Sequence, residues 1–313
     1  MQTLNEAFSS LSVRRRYEVW FLRLGLSDGS GAWWFRYLLM NPGGNGCVAL
    51  PQGMPVQVWA TWFPKGDKPR SFIQSFSLSD FRVSARGRSP FRFQVQENEI
   101  GEEFCRGALN VDGHSITWNL QYRSRFRVTL SNKGWIGFSR TPHSDAVFSG
   151  EITLDELKFS GAPLAFGVQG HNCGYRHRNF WRWMHALFLR NGEPQTTLEA
   201  LAYEMPFGLV FRKAVLWHDA HNYTFRNLRE RRTRREDMQW EFAARTREGL
   251  QLEAAVDGRG SSLHKLPYLR TNCSGTFEVS NNSLASASVV ITWPDGSLER
   301  LETSTGAVLE IVG

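Results

Sequence analysis

The chain has 313 residues, of which 41% are hydrophobic, 13% aromatic and 21% charged. That length with so little charge excludes a disordered chain and predicts one large domain or two medium ones. The net charge is +7, but the surplus is arginine rather than lysine, which coding bias alone explains, so no nucleic-acid partner is expected.

No apolar run approaches the ~20 residues of a membrane-spanning helix. The opening MQTLNEAFSSLSVRRR has no apolar core, so no secretory leader and a cytoplasmic location are expected. The cysteines, Cys47, Cys105, Cys173 and Cys273, form no CxxC pair. Reduced, independent thiols follow, with no structural zinc.

A short helix is predicted over residues 2–11. Then a hairpin begins: YEVWFLRL (17–24), the turn SDGSG (27–31), and WWFRYLLM (33–40). Both faces of both strands carry large apolar groups, which predicts cover on both sides. Glu18 and Arg36 interrupt the apolar pattern; drawn on one face, they predict a buried ion pair. Trp34, Trp59 and Trp62 are expected to line the same space.

From there turns punctuate the chain: PKGDKP (64–69), VDGHS (111–115), RNGEP (190–194), HDAHN (218–222), WPDGS (293–297). The stretches between are short, alternating and rich in Val, Thr, Phe, Tyr and Trp, the signature of an all-β sandwich or barrel. So many strands exceed a single sheet. Two tightly packed β-lobes are predicted, residues 1–165 and 166–313. No sequence repeat is visible, so any duplication is structural. A second helical segment is predicted around 226–238.

The densest chemistry lies in GHNCGYRHRNFWRWMHALFLR, residues 170–190, with His171, His177, His185, Tyr175, Trp181 and Trp183. On a strand, Trp181, Trp183 and His185 share one face, and Arg182 and Met184 the other. Aromatic rings beside an imidazole suit an apolar pocket with a polar handle, and imidazole works as acid or base near neutrality. Taken singly, each of these residues is as well explained by core packing. The histidine spacing matches no zinc pattern, so neither metal nor cofactor is expected. In TTLEALAYEM (196–205), Glu199 and Tyr203 share a face. Glu199 is placed to orient His185, or to donate a proton if burial raises its pKa. HDAH (218–221) reads as a turn. The arginine run FRNLRERRTRRE (225–236) reads as a solvated face, with peripheral contact to an anionic membrane as its functional alternative. No GxSxG, GxGxxG or Walker pattern occurs.

RRYEVWFLRL (15–24), AWWFRYLL (32–39), SITWNL (115–120), VFSGEI (147–152), residues 170–188 and LPYLRTNCSGTFEVSNNSLAS (266–286) together resemble a lipocalin-like, two-lobed group. The group comprises carotenoid 1,2-hydratases, tocopherol-cyclase-like proteins and fungal decalin-forming Diels–Alderases. The resemblance runs over nearly the whole chain, in order. Its motifs are structural, and Cys173 stands where the group's pattern has Trp. It implies tandem β-barrel lobes holding a long apolar molecule at or between them, and alkene protonation or polyene folding as the chemistry.

Three readings stay open. One is a cofactor-independent cyclase, hydratase or isomerase of an isoprenoid or polyketide, a pericyclase among them. His171, His177, His185, Glu199 and Tyr203 would move protons, and Trp34, Trp59, Tyr175, Trp181 and Trp183 would shape the substrate. The second is a non-catalytic carrier of apolar ligands using the same pocket, and the third is a binder of an anionic surface or nucleic acid through the arginine run 225–236, with strongly salt-dependent binding as its mark.

Overall fold

The computed structural model describes residues 4–8, 16–41, 43, 54–84, 90–231, 237–271 and 274–313, without the side chain of Trp135. Two antiparallel sheets form two β-lobes. The first holds β1 (Tyr17–Leu26), β2 (Gly31–Met40), β3 (Val56–Pro64), β4 (Arg70–Phe76), β5 (Phe81–Val83), β6 (Arg92–Val95), β7 (Asn98–Gly101), β8 (Phe104–Val111), β9 (His114–Arg123), β10 (Val128–Asn132), β11 (Gly137–Leu154) and β12 (Leu157–Gly174). The second holds β13 (Trp181–Arg190), β14 (Glu193–Glu204), β15 (Val210–His218), β16 (His221–Phe225), β17 (Arg229–Glu230), β18 (Gln239–Arg245), β19 (Gln251–Asp257), β20 (His264–Leu269), β21 (Thr276–Thr292) and β22 (Leu298–Val312).

The duplication absent from the sequence is present in the topology. In the first sheet β1 lies between β2 and the closing hairpin β11–β12; in the second, β13 lies between β14 and the closing hairpin β21–β22. Each closing hairpin also carries a side strand, β10 on β11 and β20 on β21. The chain crosses between sheets over residues 175–180. The division expected after residue 165 falls inside β12, because that strand continues without a break to pair with β1 as far as Gly174.

Each lobe closes on its own core. The first interior is aromatic, with Trp20, Trp33, Phe35, Tyr37, Phe93 and Trp118. The second is lined by small residues, among them Ala186, Ala200, Ala214, Ala254 and Ala307, around Trp240 and Phe242. A third cluster joins the lobes: Phe21, Trp34, Phe63 and Val168 pack on Trp183, Leu201, Val215 and Val308. This second contact is why both faces of β1 and β2 are apolar, since one face looks into the barrel and the other meets the second lobe.

Neither predicted helix forms among the described residues. Residues 4–8 are turn and irregular chain, and residues 2, 3 and 9–11 of the first segment lie outside the described residues. They close the end of the first barrel, where the Asn5 carbonyl accepts from Trp20 Nε1 at 3.0 Å and its side-chain oxygen from Gln169 at 2.9 Å. In the second segment, β17 pairs with β18; sheet pairing overrides a weak local preference. Residues 232–236 of that segment lie outside the described residues. No helix among the described residues is long and apolar enough to cross a membrane.

Candidate functional site in the seam between the lobes

Strand alternation sends Tyr17, Val19, Phe21 and Arg23 of β1, with Trp34 and Arg36 of β2, toward the second lobe. At one end of this seam the lobes part around a cavity of about 140 Å³. Its apolar walls are Phe21, Trp34, Trp181, Trp183 and Leu201, and its polar rim includes Tyr17, Arg36, His177, Arg178, Tyr268 and Glu310. An aromatic hollow with a few convergent polar groups is the ordinary form of a small-molecule site.

The polar groups are held by packing. Tyr17 pairs with Gly174 across β1 and β12, and a Cβ on Gly174 would lie 2.8 Å from the Tyr17 ring. Glycine there lets the phenol lie across the strand and stack on His177, with centroids 4.0 Å apart. Burial, with the nearby Arg36 and Arg270 charges, lowers the His177 pKa to about 3. Burial, reinforced by Cys173, raises that of Tyr17. Near neutral pH this wall therefore presents a protonated phenol and a neutral imidazole, a donor beside an acceptor. Glu310 takes Trp181 Nε1 on one oxygen and the Tyr268 hydroxyl on the other, both at 2.9 Å. Arg36 lies over the rings of Tyr268 at 3.9 Å and Trp59 at 4.6 Å.

Five residues expected from sequence line this cavity: His177, Tyr203, Trp181, Trp183 and Trp34. The hydroxyl of Tyr203 bonds Ser131 at 3.0 Å. Trp59 supports Arg36 from behind, whereas Trp62 turns into the first core. Tyr175 is 40% exposed and does not line the cavity.

Three expected groups sit elsewhere. His185 and Glu199 face each other across β13 and β14, but they do not bond. His185 Nε2 meets the Ser144 carbonyl at 2.7 Å, and burial lowers its pKa to about 3. Glu199 Oε1 accepts from Thr141 at 2.7 Å and from Trp183 Nε1 at 2.9 Å. Burial raises its pKa to about 7, so it stands behind Trp183 and fixes that ring. His171 is inside the first lobe, between Glu18 at 2.9 Å and the Leu4 carbonyl at 2.8 Å.

That last pair corrects another expectation. Glu18 is opposite Leu39, and Arg36 opposite Phe21. The register differs by one residue from the one drawn from sequence, so Glu18 and Arg36 point to opposite faces. Glu18 takes His171 as its partner, and Arg36 enters the seam. HDAH is a turn, as expected: it joins β15 and β16, and His218 pairs with Glu299 at 3.2 Å.

Sequence reasoning missed Tyr17, Tyr268 and Glu310, and misplaced Arg36. One signal was present: Glu310 is a lone carboxylate in the apolar closing strand AVLEIV, and a buried charge without local purpose marks a site.

No family model and no curated protein matches this chain. Solved structures do. CghA, solved with Sch210972, is similar at 12% identity and TM-score 0.64 over 96% of this chain and 88% of that one. Kievitone hydratase from Nectria haematococca is similar at 11% identity and TM-score 0.59 over 100% and 92%. A putative AttH from Nitrosomonas europaea is similar at 13% identity and TM-score 0.51 over 97% and 94%. Likeness at such low identity is a likeness of fold. The chain has the two-lobed, lipocalin-like architecture that these proteins share.

Proposed function

We propose that the protein is a cofactor-independent enzyme that cyclises, isomerises or hydrates an apolar isoprenoid or polyketide held in the interlobe cavity, as in natural-product biosynthesis. One observation carries this reading: the cavity sets a phenol donor, Tyr17, against a neutral imidazole acceptor, His177, beside walls of tryptophan. His177 would take a proton from one substrate atom and Tyr17 would give one at another, and water would then carry the proton from the imidazolium back to the phenolate, so that the pair is restored after each isomerisation or cyclisation. Trp34, Trp181 and Trp183 would hold a flexible chain in one reactive shape and shield positive charge with their ring faces. Kievitone hydratase and the Sch210972-bound CghA share the architecture, which supports a small-molecule substrate and leaves its identity to experiment.

A carrier without turnover is the second reading. It is favoured by the placement of His171, His185 and Glu199 away from the cavity wall. Incubating the pure protein with apolar extracts in heavy-oxygen water separates the two by mass spectrometry. A product carrying heavy oxygen means hydration, and a same-mass isomer means cyclisation or isomerisation. A retained but unchanged ligand means a carrier.

A further inference from the structure

Arg36 is 4% exposed, yet its guanidinium makes no hydrogen bond or ion pair with any described residue. Its neighbours are the ring faces of Tyr268 and Trp59. Ring faces stabilise the cation but leave its N–H donors unserved. The carboxylate on the same wall, Glu310, is already engaged on both oxygens by Trp181 and Tyr268. Arg178 lines the same cavity and lies 5.7 Å from the Tyr203 ring, again without an ionic partner among the described residues. The hollow is thus aromatic and electropositive together. A buried charge is costly unless something pairs with it.

We infer that Arg36 is the anchor for a carboxylate on the ligand, so that the substrate is an amphipathic acid, with its head on Arg36 and its apolar body along Trp34, Trp181 and Trp183. This rests on the interlobe cavity being the ligand site. The planar fork of a guanidinium matches the two oxygens of a carboxylate.

The test uses retinoic acid and retinol, which share one polyene body and differ in the head. Both are titrated into the full chain and followed by tryptophan quenching. The expected result is retinoic acid binding ~10- to 100-fold tighter than retinol, the scale of one charge-assisted pair. In Arg36→Met that preference disappears through weaker acid binding, with retinol unchanged. Arg36→Lys keeps the charge without the fork and retains part of the preference. Equal binding of acid and alcohol to the wild type overturns the inference while leaving the cavity reading intact, as does a full preference surviving in Arg36→Met. Quenching by neither probe overturns the cavity reading, and the anchor with it. The wild-type comparison stands even if a variant misfolds, and a urea melt of each variant reports folding independently.

Discussion

Two buried arginines face the same seam from neighbouring strands. Arg23 of β1 and Arg36 of β2 are 1% and 4% exposed. Arg23 is hydrogen-bonded: through Nε and one terminal nitrogen its guanidinium donates across the seam to the carbonyls of Ser283 at 3.0 Å, Thr305 at 2.7 Å and Ala307 at 3.2 Å. Burial still lowers its pKa to about 9. Among the described residues Arg36 meets ring faces alone. The first arrangement fastens one lobe to the other. The second leaves binding capacity unspent, and it does so where the lobes part. Similar burial of the same residue type thus separates a structural charge from one awaiting a ligand, and hydrogen-bond satisfaction is what tells them apart.

The largest effect that tests this contrast is on stability. Arg23→Met leaves three carbonyls between the lobes without their donor and is expected to cost about 3–5 kcal/mol in urea unfolding, at ~1–3 kcal/mol for each buried acceptor left unserved. Arg36→Met removes a charge with no hydrogen-bonding or ionic partner among the described residues and is expected to unfold at or above the wild-type midpoint. Equal losses from both would abolish the distinction.

Next in size is Glu199, on the closed part of the seam. Burial raises its carboxyl from 4.5 to about 7, so the folded state keeps a proton that the unfolded chain releases. Its favourable contribution is complete below pH 4.5 and declines as the pH rises to about 7. Glu199→Gln keeps an acceptor for Thr141 and Trp183 and has no charge to bury. The variant should match the wild type at pH 4 and exceed it at pH 8, by about 3 kcal/mol at most. A variant with an unchanged pH profile of stability would place the carboxylate in contact with water.

The legible parts of this molecule were those written within single strands. Alternation in 181–188 placed Trp181, Trp183 and His185 on one face, and the doubly apolar hairpin 17–40 announced two covering layers. The cavity was harder to read because it joins strands remote in sequence. No local pattern tells Arg36 that Tyr268 and Glu310 will lie beside it. Registers were the other gap. A one-residue offset in β1–β2 moved Arg36 from a supposed partner, Glu18, into the seam, since each step along a strand reverses the face. Three histidines close in sequence likewise separated into a barrel interior, a cavity wall and a sealed seam, because the chain crosses between lobes among them.

Turnover supplies the third test. His177→Phe keeps a ring to stack on Tyr17 and removes the proton acceptor. A roughly hundredfold fall in kcat with little change in KM is expected, at the lower end of general acid–base contributions. His185→Ala, on the sealed seam, should leave kcat within a few-fold. Because His177 loses its proton near pH 3, it should impose no inflection on kcat between pH 5 and 8. An inflection there that vanished in His177→Phe would mean that the imidazole is charged in the working enzyme, and the donor and acceptor would exchange roles.

The smallest effect comes from a third arginine, at the surface. Arg231 pairs with Glu253 at 2.9 Å, with both side chains more than half exposed. Water already solvates both groups, and ordering two long side chains offsets much of their attraction. Arg231→Ala should change stability by under about 1 kcal/mol, and less again at high salt. Its value lies in calibrating the other two: with pairing geometry as good as Arg23 enjoys, it lacks the burial that gives that geometry its weight. If Arg231→Ala cost as much as Arg23→Met, burial would not be the governing variable. The open donors of Arg36 would then say little about a ligand.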